Sequence, residues 1–203
     1  MSLEAWALAA LQSLPVYKED IGSPEKPAQL QMIARSVTEA ALEAKGWPLS
    51  RKELIAAQIG MLTNETHASL RIHRGECNLE KRECDAAKVK GALVPRALSI
   101  FQLHAGALSS PQLWPQLGFM TLESTKLSAV EASRALVRSF RYCAAQRAPG
   151  NAIALMYTAV AGRNCYLDRW AGWKPRLDVY ERVLRVPVPK AAAAQAESAP
   201  RSI

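Results

Sequence analysis

Apolar residues recur every three to four positions along most of the chain, which is the spacing of amphipathic helices. This spacing predicts helices over residues 3–14, 27–45, 51–65, 96–104, 111–117, 128–146, 151–160 and 168–184. Pro15 ends the first pattern, and Gly46 with Pro48 ends the second. The sequence therefore predicts a mainly α fold whose helices pack as a bundle.

The pattern over residues 51–65 marks a helix of the protein core. Ser50 and Glu53 have the spacing of a capping box, which defines where the helix starts. Apolar residues then occupy more than one side of the helix, so we expect it to be buried. Residues 66–95 show no helical period and are expected to form an irregular lobe or a small β-hairpin. An ordered loop of this length is usually functional.

The two ends of the chain differ from its middle. Residues 1–46 are expected to form an N-terminal helical extension, and residues 47–186 a compact domain. Residues 187–203 have low sequence complexity and few large apolar side chains. We expect this tail to be disordered or bound to a partner.

The 203 residues carry a formal net charge of +8 at pH 7, so the protein should attract polyanions. Nucleic acid, an anionic membrane surface and the acidic glycan and peptide material of a bacterial wall all qualify. The basic residues show neither aromatic interleaving nor a known helix motif, which argues against nucleic acid. No apolar run approaches the ~20 residues that cross a bilayer, and no signal peptide is recognised.

The cysteines allow two disulfides, four free thiols or a zinc site; they are Cys77, Cys84, Cys143 and Cys165. Their spacing contains no tight C-x-x-C pair, and the histidines share no metal-ligand spacing. Disulfides are therefore favoured, and neither a metal nor another cofactor is predicted. Three pairings are possible, of which Cys77 with Cys84 and Cys143 with Cys165 closes the shorter loops. Disulfides would indicate work outside a reducing cytoplasm.

Glu65 is the candidate for acid–base chemistry. It ends the apolar helix, in LTNETHASL, where a buried run gives way to a loop. A carboxyl at such a junction is partly desolvated, and desolvation favours the protonated form that a general acid needs. Cleavage of a glycosidic bond requires such a group to protonate the departing oxygen. The alternative is that Glu65 only closes a helix at the surface.

Three segments in chain order resemble motifs of the lysozyme-like superfamily, in particular its lytic transglycosylase group, which includes soluble lytic transglycosylases and goose-type lysozymes. They are GMLTNETHASL around Glu65, ALSIFQLH over residues 97–104 and ALMYTAVAG over residues 154–162. The group has Glu-Ser at the end of a core helix, then an Ala-x-Gly-Leu-Met-Gln-like motif, which opens a short helix, and later a Tyr-Asn-Ala-Gly-like motif. The resemblance covers roughly residues 50–184. It implies a lysozyme-like α+β catalytic domain over residues 47–186, with a small lobe that forms a substrate groove.

The chain departs from these motifs in several places. Thr66 replaces Ser, Ser99 replaces Gly, and Thr158 replaces Asn. The glycine of the third motif is delayed to Gly162. A side chain at Ser99 is expected to narrow the groove, because glycine would let the backbone approach a substrate closely.

The resemblance also implies roles for individual residues. Glu65 would be the general acid and then the base. Gln102 would line the sugar-binding groove and hydrogen-bond the substrate or the acid, and Tyr157 would place its hydroxyl near the Glu65 carboxyl and orient it. Thr66 would bind the substrate with the hydroxyl that serine supplies in the family, and Ser99 would border the bound sugar.

A second carboxylate would decide the reaction type, since glycosidases usually pair two. The candidates are Glu76, Glu80, Glu83 and Asp85, of which Asp85, beside Cys84, would be held most firmly. The transglycosylase group works without a second carboxylate, because the substrate's N-acetyl group assists and its 6-hydroxyl attacks. A transglycosylase that cleaves the β-1,4 bond between N-acetylmuramic acid and N-acetylglucosamine is therefore favoured over a hydrolytic lysozyme.

The expected partner is the peptidoglycan glycan strand. A basic chain with pairable cysteines and no export signal suggests delivery by a phage particle to the host periplasm. Its N-terminal helices or tail would then dock to other virion proteins. The substitutions at Ser99 and Thr158 support an alternative: an inactive lysozyme-like structural or adaptor protein of a virion or a secretion assembly.

Overall fold

The computed structural model describes residues 2–79, 84–104, 106, 108–162, 164–169 and 171–187. Its helices and strands are α1 (Leu3–Gln12), α2 (Lys26–Glu43), α3 (Arg51–Thr66), α4 (Leu70–His73), β1 (Ala86–Val89), β2 (Ala92–Pro95), β3 (Ala97–Leu98), β4 (Leu103–His104), α5 (Leu122–Ala145), α6 (Ala152–Gly162) and α7 (Trp173–Leu184). Short 3-10 helices cover Lys18–Asp20 and Pro111–Gln116. The predicted mainly α fold with a small β lobe is confirmed.

Helix α3 begins and ends where its local sequence predicts. Ser50 Oγ accepts a hydrogen bond from the Glu53 backbone N–H, and the Glu53 carboxylate accepts one from the Ser50 backbone N–H, which completes the capping box. Eleven of the 16 residues of α3 are buried, so this helix runs through the core. It stops because His67 and Ala68 adopt left-handed backbone conformations, with φ of 49° and 52°.

The helix predicted over residues 96–104 is wrong. Strands β3 and β4 form an antiparallel hairpin there, with Ala97 opposite His104. Ser99 and Gln102 have φ of 67° and 47°, a conformation that a right-handed helix excludes. Ile100 and Phe101, at the turn, are fully buried. Because these apolar residues are buried by the hairpin turn, the segment has an apolar pattern that was mistaken for the buried face of a helix.

The lobe between α4 and β3 contains another hairpin, formed by β1 and β2, which we call the first hairpin because it precedes the β3–β4 hairpin in the chain. Val89 faces Ala92 across a turn at Lys90 and Gly91. Both turn residues have positive φ, as the tight turn of a right-twisted hairpin requires. Val89 and Leu93 of this hairpin are about half exposed, so the hairpin presents apolar side chains to solvent.

The N-terminal helices share a core with the rest of the fold. Trp6 of α1 is fully buried, and its indole N–H donates to the Val186 carbonyl at 2.9 Å. The predicted division at residue 46 falls between α2 and α3, and both helices contribute to this one core. The tail predicted to be disordered lies, from residue 188 onward, outside the described residues.

The predicted disulfides are confirmed, and they follow the pairing that closes the shorter loops. Cys77–Cys84 ties the segment after α4 to the start of the first hairpin. Cys143–Cys165 ties the end of α5 to the segment after α6.

Candidate active site

A cavity of about 1430 Å³ opens where the end of α3 meets the two hairpins and helices α5, α6 and α7. We call it the Glu65 groove. Its polar side chains include Glu65, Asp85, Gln102, His104, Arg138 and Arg176. Apolar walls come from the first hairpin and from α6, and Tyr142, about half exposed, adds an aromatic face. A groove of this composition suits a substrate with both polar and apolar faces, such as a sugar polymer.

Glu65 lies in the wall of this groove, in the last turn of α3. Its side chain is 26% exposed. Arg176 of α7 donates from Nη2 to Glu65 Oε1, and its own side chain is only 9% exposed. Arg176 Nη1 also donates to the Gly172 carbonyl at 2.7 Å, which anchors the guanidinium at the start of α7. The predicted acid is therefore one half of a largely buried ion pair.

Arg176 was not predicted from the sequence. It lies 111 positions after Glu65, and its segment carries an ordinary amphipathic pattern. No local spacing links the two residues. The packing of α7 against α3 brings them together.

Tyr157 does not hold Glu65 in the way the resemblance implied. The ring is fully buried, and its hydroxyl donates to the Ala57 carbonyl at 2.9 Å. Burial raises the pKa of the Tyr157 phenol well above its ordinary value. The predicted contact with the Glu65 carboxyl is therefore wrong, and Arg176 occupies that role.

Gly60 explains why Tyr157 and α7 come so close to α3. A Cβ at this position would lie 2.5 Å from the Tyr157 hydroxyl oxygen and 2.9 Å from the Arg176 carbonyl oxygen. A side chain there would push both neighbours away. Gly60 is thus required for the close approach that places Arg176 beside Glu65, five residues further along α3.

Thr66 acts on the shape of the groove. Its hydroxyl is buried, 2.9 Å from the Ile100 carbonyl and 3.2 Å from the Leu62 carbonyl, and can donate to either. The contact to Ile100 ties the end of α3 to the turn between β3 and β4. The hydroxyl predicted to meet the substrate instead links two groove walls.

Ser99 is also turned away from the groove. It is 2% exposed, and its Oγ accepts a hydrogen bond from the Phe101 backbone N–H at 3.2 Å. The expected narrowing of the groove is therefore not seen. The left-handed backbone at Ser99 gives a local reason why glycine suits this position.

Gln102 lines the groove as predicted, and it joins the two hairpins. Its Nε2 donates to the Ser99 carbonyl at 3.0 Å, and its Oε1 accepts from the Asp85 backbone N–H at 3.4 Å. Thr158, the other departure from the family motif, is fully buried and donates to the Ala154 carbonyl within α6.

Asp85 is the candidate second carboxylate that reaches the groove. His104 Nε2 lies 3.3 Å from Asp85 Oδ2, and both side chains are about half exposed. Glu76 is exposed in the same lobe, and the cavity lining does not include it. Glu80 and Glu83 lie outside the described residues.

Three comparisons with known proteins gave no match: no family model, no curated protein and no solved structure corresponds to the chain. None of the helices in the described ranges combines the length and apolar character of a membrane span. Within those same ranges no three His, Cys, Asp or Glu residues cluster in a way that would hold a metal ion.

Proposed function

We propose that this protein cleaves peptidoglycan as a lytic transglycosylase, with Glu65 as its general acid and base. The observation that carries the proposal is the position of Glu65, half-buried in the wall of a cavity of about 1430 Å³. Pockets for single small ligands measure roughly 300–1,000 Å³, so this volume suits a segment of polymer. The bond cleaved would be the β-1,4 bond between N-acetylmuramic acid and N-acetylglucosamine.

In the proposed reaction Glu65 donates its proton to the departing glycosidic oxygen. The substrate's N-acetyl group assists at the anomeric carbon, and its 6-hydroxyl then attacks that carbon. Glu65 takes up the hydroxyl proton, so the products are a free chain end and a 1,6-anhydro sugar, and no water is consumed. Before the acid step the Arg176–Glu65 pair has to open as the sugar binds, so that the Glu65 carboxyl can face the glycosidic oxygen.

A hydrolytic lysozyme is the second candidate, and Asp85 favours it. Asp85 and Glu65 line one groove, and a second carboxylate can activate water. The contact with His104 would help to fix the Asp85 carboxylate. Hydrolysis would leave reducing ends in place of anhydro ends.

An inactive lysozyme-like adaptor is the third candidate, and the Arg176–Glu65 pair favours it. A carboxylate that an arginine holds permanently cannot donate a proton. In that case the groove would bind glycan strands without cleaving them.

Delivery by a phage particle to the host periplasm belongs to the same proposal. The two disulfides support work in an oxidising compartment. Docking to other virion proteins would use the N-terminal helices or the tail. Isolation of the protein solely from cytoplasm, with all four thiols reduced, would contradict this delivery route.

Digestion of purified sacculi, followed by mass spectrometry of the products, tests the activity. Wild type, Glu65→Gln, Asp85→Asn and a control, Glu76→Gln, are compared. Glu76 serves as the control because it is an exposed glutamate of the same lobe. We expect anhydro products from wild type and from Glu76→Gln, and none from Glu65→Gln. Reducing ends that depend on Glu65 and Asp85 would establish the hydrolase. A folded wild type that binds sacculi but releases nothing would establish the adaptor.

A further inference from the structure

A second cavity, of about 560 Å³, lies between the end of α2 and the middle of α5. We call it the α2–α5 groove. Arg138 lines both this groove and the Glu65 groove, so the two adjoin across one side chain. The floor of the α2–α5 groove is apolar and includes the buried Ala40 and Val137.

The rim of the α2–α5 groove is strongly basic. Four cationic residues and one acidic residue line it: Lys45, Arg134, Arg138, Arg141 and Glu43. The three arginines are separated by four and three positions on α5, so they lie on one face of the helix. Glu43 is 3.2 Å from Lys126 Nζ, a cation that does not line the groove, so its charge is compensated there. Arg134 is likewise paired with the buried carboxylate of Glu131. The excess positive charge above the apolar floor therefore comes chiefly from the exposed Lys45 and Arg141.

Two of the arginines are held in place. Arg134 Nη1 donates to Ser109 Oγ at 2.8 Å and to Glu131 Oε1 at 2.6 Å. The Arg141 guanidinium packs against the backbone of Gly46, where an added Cβ would lie 2.5 Å from Arg141 Nη2. Because Gly46 has no side chain, Arg141 can lie across the end of α2. Positioned guanidinium groups recognise carboxylates well, since one guanidinium can donate two parallel hydrogen bonds to one carboxylate.

We propose that the α2–α5 groove binds the peptide branch of the glycan strand whose sugars occupy the Glu65 groove. This inference rests on the proposed function. The peptide branch carries free carboxylates for the arginines and alanine methyl groups for the apolar floor. The shared wall at Arg138 lets a branch leave the sugar in one groove and enter the other directly. The net charge of +8 adds long-range attraction to the same anionic branch.

Binding to two forms of the same wall material tests this inference. Intact sacculi are compared with sacculi from which an amidase has removed the peptides, and co-sedimentation gives the dissociation constants. The protein is the Glu65→Gln variant, which should bind without cleaving. This variant is combined with one of two pairs of substitutions. The groove pair is Lys45→Gln and Arg141→Gln, and the control pair is Lys18→Gln and Arg182→Gln. The control pair removes one lysine and one arginine that are exposed and outside both grooves.

We expect Glu65→Gln to bind intact sacculi more tightly than stripped sacculi. The groove pair should reduce this preference by about twofold to thirtyfold, because two exposed charge contacts are lost. The control pair should preserve the preference. Circular dichroism of each variant verifies that it is folded.

Three outcomes would overturn the inference. Equal binding to intact and stripped sacculi would do so, and the proposed function would survive if wild type still cleaved both. An equal effect of the control pair would show that general charge attraction is responsible. Binding that follows phosphate polymers attached to the wall, instead of the peptides, would assign the groove to a different anion. Absence of both binding and cleavage would instead remove the proposed function itself.

Discussion

Arg176 of α7 donates a hydrogen bond to the carboxylate of Glu65 in the last turn of α3. The two side chains are 9% and 26% exposed, so the pair lies largely out of water, where a charge-assisted hydrogen bond is strong. The backbone carbonyl of Gly172 holds the other end of the guanidinium. Glu65 can therefore transfer a proton to a substrate only when its ion pair with Arg176 opens.

Replacement of Arg176 should slow cleavage, because the Glu65 carboxyl then loses the charge-assisted hydrogen bond that positions it. We expect the release of soluble fragments from sacculi to fall by up to about 100-fold in Arg176→Gln. Arg176→Lys keeps the cation and should stay closer to wild type. An unchanged rate in a stably folded Arg176→Gln protein would exclude this role for the pair.

The sequence predicted the elements that local rules determine. Ser50 and Glu53 form the capping box that their spacing indicates, and Glu65 occupies the end of the helix that they start. The Cys77–Cys84 pairing is the short-loop alternative. These features depend on residues close together in the chain, and a single sequence is enough to recognise them.

Long-range packing determined what the sequence could not predict. The apolar residues of the segment 96–104 have helical spacing, yet the turn at Ile100 and Phe101 becomes visible only when their burial and the φ of Ser99 are known. Tyr157 was predicted as a site residue, but the direction of its side chain depends on Gly60, 97 positions earlier. Because Gly60 has no side chain, the Tyr157 ring can pack against α3. The same close approach brings in Arg176, which no motif contained.

The left-handed backbone of Ser99 gives a prediction about stability. A non-glycine residue with φ of 67° is strained by ~1–2 kcal/mol, which glycine relieves. The Ser99 hydroxyl offsets part of this strain, because its hydrogen bond to the Phe101 N–H contributes ~0.5–1.5 kcal/mol. Ser99→Gly should therefore be within about 1 kcal/mol of wild type, whereas Ser99→Ala loses the bond and keeps the strain. Denaturant unfolding should rank Ser99→Ala below both. Equal stability of Ala and Gly at this position would contradict the strain.

A buried histidine makes stability depend on pH. His73 is 2% exposed; Gln29 Nε2 lies 3.1 Å from its Nδ1 and Thr125 Oγ1 lies 2.7 Å from its Nε2. An amide donor at Nδ1 requires the neutral ring, with its proton on Nε2. Burial, assisted by the charge of Lys26, lowers the pKa of His73 from its ordinary 6.5 to about 4.

The stability that His73 contributes should be lost in mild acid. Below pH 6.5 the unfolded chain takes up a proton at this position, whereas the folded chain does so only near pH 4. The free energy of unfolding should therefore fall by about 3 kcal/mol from pH 6.5 to pH 4 through this group alone, and no further below. His73→Gln should lack this part of the decline in denaturant titrations at a series of pH values. His67→Asn, at an exposed histidine, should keep it. Parallel declines in wild type and His73→Gln would contradict the assignment.

Removal of one disulfide should mainly lower stability, whereas removal of the other should mainly lower activity. Cys143–Cys165 spans 22 positions and Cys77–Cys84 spans seven. In the chain-entropy account, loops of these sizes correspond to about 3 and about 2 kcal/mol of stability respectively. Both loops carry groove residues. Those of the longer loop, Ala159, Val160 and Ala161, belong to α6, which is also held by its packing against α5 and α7, whereas Cys84 of the shorter loop directly precedes Asp85. Replacement of Cys143 and Cys165 by serine should therefore lower the unfolding midpoint more, while cleavage of sacculi at a permissive temperature persists. Replacement of Cys77 and Cys84 should lower the midpoint less but reduce cleavage more, since the lobe that bears Asp85 and contacts Gln102 loses its covalent tie. The reverse order of effects on activity would show that the first hairpin does not shape the working groove.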